Sequence, residues 1–139
     1  MTYNLKKIAV GIVSIDRLHI RQQMIKSSYG KIIHTTRNMP KQKDDLIENG
    51  SMFWVIKRNI LVRQKILNIE AVIRDDGSKG CEIELDEDLI KVIPTPMKPF
   101  QGWRYYMASD IPPDLNVSNI ESEDLPENIN SELIKLGLY

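Results

Sequence analysis

The stretch GSMFWVIKRNILVRQKILNIEAVIR, residues 50–74, decides the fold. Valine, isoleucine, phenylalanine and tryptophan dominate it, which suits a pleated and largely buried surface. Met52, Trp54 and Ile56 fall on one face of a strand and Phe53 and Val55 on the other, so both faces are expected to be covered. Lys57, Arg58 and Asn59 supply a polar turn. The chain then returns through Ile60 and Val62 to Leu67, Ile69, Ala71 and Ile73, and its apolar phase changes from even to odd between Val62 and Leu67. One extra residue in a β-bulge near Arg63–Ile66 would produce that change. The expectation is two neighbouring antiparallel strands over 51–57 and 61–73. Val62, Ile66, Ile69 and Ile73 also keep a helical spacing, so a helix through 60–72 is the competing reading.

On the N-terminal side, Leu5 to Val13 alternates loosely as a first strand. Ser14 is suited to cap a helix with Ile15, Leu18, Met24 and Ile25 at helical spacing, ended by Tyr29-Gly30. Lys31 to Thr36 reads as a short strand, and Pro40 opens a second helix that stops at Asn49-Gly50. On the C-terminal side, Asp75-Asp76-Gly77 marks a turn, Cys81 to Leu85 a strand, and Asp86 to Ile90 a helical turn before Val92-Ile93. Residues 94–115 form a proline-rich arm whose rings, Phe100, Trp103, Tyr105 and Tyr106, call for burial over the sheet. Residues 116–127 are acidic and read as a linker, and 128–139 as an amphipathic C-terminal helix. The whole, 1–139, is read as one domain with its core in 1–115. The fold class is α+β, with a mainly antiparallel sheet or partly closed small β-barrel and two or three short flanking helices.

A chain of 139 residues can bury roughly two-thirds of its unfolded surface. No apolar run approaches the ~20 residues that a membrane-spanning helix needs. The N-terminal basic pair and short apolar run lack the length and cleavage site of a signal peptide. One cysteine, Cys81, allows no internal disulfide and agrees with a reducing cytoplasm. Zero net charge hides a division: residues 1–74 carry 14 Lys and Arg against 5 Asp and Glu, and residues 75–139 carry 5 against 14. Such a division marks either a basic face for an anionic partner or two halves that attract each other.

The chemistry on offer is limited. Two histidines and one cysteine show no ligand spacing for a metal, and GxSxG, P-loop and GxGxxG motifs are absent, so no metal or cofactor is expected. Cys81 stands beside Glu82, and a carboxylate there would raise the pKa of the thiol rather than activate it. His34 and Arg37 could serve as an acid/base group and an anion clamp, or could satisfy backbone at a strand end. Arg63, Gln64, Gln101, Trp103, Arg104 and Tyr105 interleave cations, amides and rings in the manner of a single-strand nucleic-acid site. The same rings would serve equally as core, with both arginines paired to carboxylates.

HTTRNMP (34–40), GSMFWVIK (50–57), RQKIL from Arg63, PFQGWRY (99–105) and PPDL (112–115) follow one another in a family order. In these motifs, and in the closing SELIKLGL, the chain resembles the alphaproteobacterial family catalogued as domain of unknown function 1489. It departs from that pattern at Arg58, where the family has glycine, and in a first helix without tryptophan. The resemblance implies no reaction. The order of elements is also similar to PUA-like small β-barrels, several of which bind RNA, and that likeness implies fold alone. The functional expectation is a small cytoplasmic binding module for RNA or another polyanion. A small enzyme acting on an anionic substrate through His34, Arg37 and Arg104 is the alternative, and a protein-interaction module docking through the proline-rich arm a third.

Overall fold

Ser51–Ile56 forms strand β3, and all six of its residues are buried. The reason is the pattern noted above. Met52, Trp54 and Ile56 enter one apolar cluster, with Leu5, Leu18, Leu46 and Ile83, while Phe53 and Val55 enter a second, with Ile60, Val92 and Tyr106. The computed structural model describes residues 2–115. The expected acidic linker, 116–127, and C-terminal helix, 128–139, lie outside the described residues.

Around β3 stand β1 (Tyr3–Ile8), α1 (Ile15–Tyr29), β2 (Ile32–Thr36), α2 (Lys43–Asn49), β4 (Asn59–Ile73), β5 (Lys79–Leu85), β6 (Ile90–Pro96) and β7 (Trp103–Met107). They make an α+β protein with a seven-stranded sheet in the order β2-β5-β4-β3-β1-β7, with β6 paired to β4. The sheet is open, ending at β2 and β7, so it does not close into a barrel. One pair, β1 with β3, is parallel, because the chain crosses over through α1, β2 and α2 between them. The other strand pairs are antiparallel.

β4 is the long return strand, so the helical alternative for 60–72 does not hold. One edge of β4 takes β3, while β6 and then β5 run along the other. Its register shifts twice. Leu61 falls between the pairs Val55↔Ile60 and Trp54↔Val62, and Leu67 between Ile66↔Leu85 and Asn68↔Glu84. The bulges therefore flank the expected Arg63–Ile66 window. Leu61 moves the core phase from the second cluster, at Ile60, to the first, at Val62, and Leu67 restores it for Ile69. Between them the strand alternates regularly, because Gln64 occupies a core position in place of an apolar residue.

Gln64 is fully buried and satisfied on all sides. Its Nε2 donates to Gln22 Oε1 at 2.7 Å and to the Asp86 carbonyl at 2.7 Å. Its Oε1 accepts from Gln22 Nε2 at 2.9 Å and from Trp54 Nε1 at 3.0 Å. Asp86 N donates in turn to the Lys65 carbonyl, which carries the link between β5 and β6 along β4 and leaves no helical turn at 86–90.

The helices start and stop for local reasons. Ser14 Oγ accepts from Arg17 N, and Gly30 closes α1 at φ 80°, a left-handed position that glycine adopts without steric cost. α1 buries Leu18 and Gln22, whereas Met24, expected on its apolar side, is exposed. α2 begins at Lys43, later than the expected Pro40, which is buried in the preceding loop. Gly50 lets α2, β3 and β1 close up, since a Cβ there would lie 2.7 Å from both the Leu46 and Tyr3 carbonyl oxygens.

The proline-rich arm is partly sheet. Met97, Phe100 and Ile111 cover the second cluster as expected, but 103–107 is edge strand β7, paired with β1. The Lys57-Arg58 turn joins β3 to β4 with both residues at positive φ, 50° and 67°. That geometry favours glycine, asparagine or aspartate over a long cation such as Arg58.

If the Gln64 amide is what joins these segments, Gln64→Leu, which keeps the volume, should destabilise the fold by about 2–4 kcal/mol. It leaves Trp54 Nε1, the Gln22 amide and the Asp86 carbonyl short of partners in the interior. Urea denaturation checks this, and a cost below about 1 kcal/mol would show the network to be dispensable.

Candidate functional site

The residues singled out from the sequence separate into three sets, with His34 apart from all of them. Arg63 makes a two-pronged contact with Asp114, Nε to Oδ1 at 2.7 Å and Nη2 to Oδ2 at 2.8 Å, and its Nη1 donates to Ser51 Oγ. This pair holds the 112–115 segment against β4, raises the guanidinium pKa, and holds the Asp114 carboxyl below its usual range. Gln64 lies in the core network on the opposite face. Both residues are employed by the fold.

Trp103 and Tyr105 form the second set. Trp103 Nε1 donates to the Asn38 carbonyl at 2.9 Å, and Tyr105 Oη accepts from Lys41 N at 2.8 Å and Gln42 N at 3.2 Å. The rings meet edge to face at 5.0 Å, and Tyr3 adds a second edge contact to Tyr105 at 5.5 Å. Together they fasten the 37–42 loop to β7. Cys81 Sγ approaches the same Asn38 carbonyl at 3.4 Å. Its thiol pKa is raised chiefly by burial, rather than by the neighbouring carboxylate.

The third set is exposed. Gln101, Arg104 and Arg37 all lie at the surface. Arg104 stands opposite Lys6 in the β1–β7 register. Both cations lie over the Phe100 ring, each 5.6 Å from its centroid, and Lys6 is also 4.8 Å from the Tyr106 ring centroid. Lys6 Nζ also contacts Met97 Sδ, and Met97 N donates to the Arg58 carbonyl, so the Lys57-Arg58 turn and Lys98 adjoin this patch. None of Lys6, Lys57, Arg58, Lys98 and Arg104 pairs with a carboxylate among the described residues. Lys6 and the Lys57-Arg58 pair were not singled out from the sequence. Alternation along β1 puts Lys6 with Ile8 on the second cluster's face, and that was the available signal.

His34 sits apart from these, in the wall of a cavity of about 80 Å³ under α1. The cavity is also lined by Lys7 of β1, Arg21 and Gln22 of α1, Trp54 of β3 and Leu85 of β5. Arg37 and Arg104 are not among its walls, so the structure does not bring the sequence-derived trio together. Arg21 Nη2 donates to the Val10 carbonyl at 2.8 Å. The imidazole packs edge-on to Trp54 at 5.4 Å, and its Nε2 is buried without a hydrogen-bond partner. Burial first, then the charges of Lys7 and Arg21, lower the His34 pKa to about 4. Burial, then Arg21, also lowers that of Lys7. Arg21 and Gln22 follow Leu18 on one side of α1, a spacing that marks Arg21 as a residue at the edge of the buried stripe.

Fold and surface together define a small α+β protein on an open, mainly antiparallel sheet, with a basic patch on one face and a cationic cavity on the other. Residues 5–139 match the family model described as "Protein of unknown function (DUF1489)", and the chain belongs to that family. No curated protein and no solved structure matches it. Among the described residues, no helix is long and apolar enough to cross a membrane, and no group of three or more His, Cys, Asp or Glu could hold a metal ion.

Two outcomes test these assignments. Tyr105→Phe should cost about 1–2 kcal/mol by releasing two backbone N–H groups, whereas Arg104→Gln should leave the melting temperature unchanged. Equal losses in both would place Arg104 in the scaffold.

The second concerns pH. His34 titrates near 6.5 when unfolded and near 4 when folded, so the unfolded chain binds more protons between those values. Its contribution to stability is complete above pH 6.5 and is lost as the pH falls towards 4, by about 3 kcal/mol at most. The groups facing it are Lys7 from β1 and Arg21 from α1, while β3 and β5 present Trp54 and Leu85. Stability measured from pH 7 to 4 in wild type and His34→Gln should show a shallower slope in the variant.

Proposed function

We propose that the protein binds a polyanion, with single-stranded RNA as the ligand class, through the basic patch of Lys6, Lys57, Arg58, Lys98 and Arg104. The observation that supports the reading is the pair of cations, Lys6 and Arg104, set over one ring, Phe100, with no carboxylate against them among the described residues. Two other cations are neutralised by the fold, Arg63 by Asp114 and Lys26 by Glu87. A ring under a cation contributes a modest attraction and restrains it without neutralising its charge. Such cations are set in position for phosphates, with less rotamer freedom to lose on binding.

The Lys57-Arg58 turn supports the same reading. Two long cations occupy backbone positions that suit glycine or asparagine better, and strain of this kind concentrates at functional sites. Contact made through phosphates carries little base preference, so binding should be tolerant of sequence.

The test is fluorescence anisotropy with an unstructured poly-uridine strand across a range of salt. Affinity should fall with salt at a log–log slope of roughly −0.7 for each phosphate neutralised, and Lys6→Gln or Arg104→Gln should each make the slope shallower by about 0.7. A slope unaffected by both variants, or no binding at low salt, overturns the reading.

A further inference from the structure

We infer that the cavity between α1, β1 and β2 is a binding site for a small oxyanion of phosphate size. Lys6 and Lys7 leave β1 on opposite faces of the sheet, so this site is separate from the basic patch and does not rest on the polyanion reading.

The first ground is charge. Two cations, Lys7 and Arg21, converge on one small space beside the uncharged His34 ring, and among the described residues its walls contain no carboxylate. Arg21 is close enough to Lys7 and His34 for its charge to act on both. Gathering like charges around a partly buried volume is unfavourable unless an opposite charge enters it. An oxyanion supplies that charge, and it accepts charge-assisted hydrogen bonds from an ammonium and a guanidinium together.

The second ground is an unmet hydrogen bond. His34 lines the cavity, and its buried Nε2 has no hydrogen-bond partner among the described residues, a state in which polar nitrogens are seldom left. The other polar side chain in the wall, Gln22, is already committed to Gln64.

The third ground is size. A cavity of about 80 Å³ is larger than a single water requires and has room for a group of several non-hydrogen atoms. Phosphate and sulfate have five. A larger ligand would enter by a terminal phosphate with its remainder outside, past Val10 and Arg21 at the exposed rim.

The experiment is NMR of the His34 ring nuclei in the full chain, titrated with inorganic phosphate and, separately, with sulfate and glycerol phosphate. The expected result is a saturable shift at millimolar phosphate and a rise in the His34 pKa, because a bound anion favours the imidazolium. Arg21→Gln, on the exposed side of α1, should weaken phosphate roughly tenfold or more, as loss of a charge-assisted hydrogen bond does. Lys7→Gln should do the same, and Arg104→Gln should have no effect. Tighter binding of glycerol phosphate than of inorganic phosphate would assign the site to a phosphomonoester end, and the reverse to the free ion. No saturable shift, or equal affinity in wild type and Arg21→Gln, overturns the inference whatever the poly-uridine result.

Discussion

A buried amide at the middle of the longest strand ties the structure together. Gln64 joins β4 to α1 through Gln22, to β3 through the Trp54 indole, and to the β5–β6 link through the Asp86 carbonyl. Each partner would be costly if left unpaired in this interior, so the four segments must arrive in one arrangement or not at all. The apolar contacts around the amide supply most of the stabilisation, but they would tolerate small slips that these hydrogen bonds do not. The register of β4 follows from this constraint, and so do the two bulges that place Gln64 on the first cluster's face.

The same geometry sorts the charges. The division along the chain is partly internal: Arg63 with Asp114 and Lys26 with Glu87 each join the basic half to the acidic half. Among the remaining cations, two groups stand on opposite faces of the sheet. On β1, successive residues face opposite ways, and Lys6 and Lys7 each begin a different cationic cluster. A zero net charge therefore coexists with two local concentrations of positive charge.

How much of this could be read from the sequence depends on how local each cause is. The strand over 51–56, the return strand, the Ser14 cap and the Gly30 stop were legible, because side-chain alternation and capping act within a few residues. The position of the bulges was not, because a polar residue in a core slot looks like a break in the pattern until its partners are known. β7 was read as part of an arm, since its strand character comes from pairing with β1, about a hundred residues away. Arg63, Trp103 and Tyr105 have the residue types of a nucleic-acid site, yet their hydrogen bonds go to Asp114, Asn38, Lys41 and Gln42. Lys7 and Arg21 were missed because only the packing of α1 against β1 makes them neighbours of His34.

The placement of β1 bears on how the chain is made. β1 is hydrogen-bonded on one edge to β3 and on the other to β7, so its partners are synthesised some fifty and a hundred residues after it. At about 5–20 residues per second on the ribosome, the first strand waits several seconds before both edges can be covered. Leu5, fully buried in the finished protein, is without its sheet neighbours for that time. Contacts so distant in sequence also slow folding once the chain is complete. Two consecutive lysines in the middle of β1, Lys6 and Lys7, keep this waiting segment charged, and charge on an unpaired strand opposes its pairing with other nascent chains.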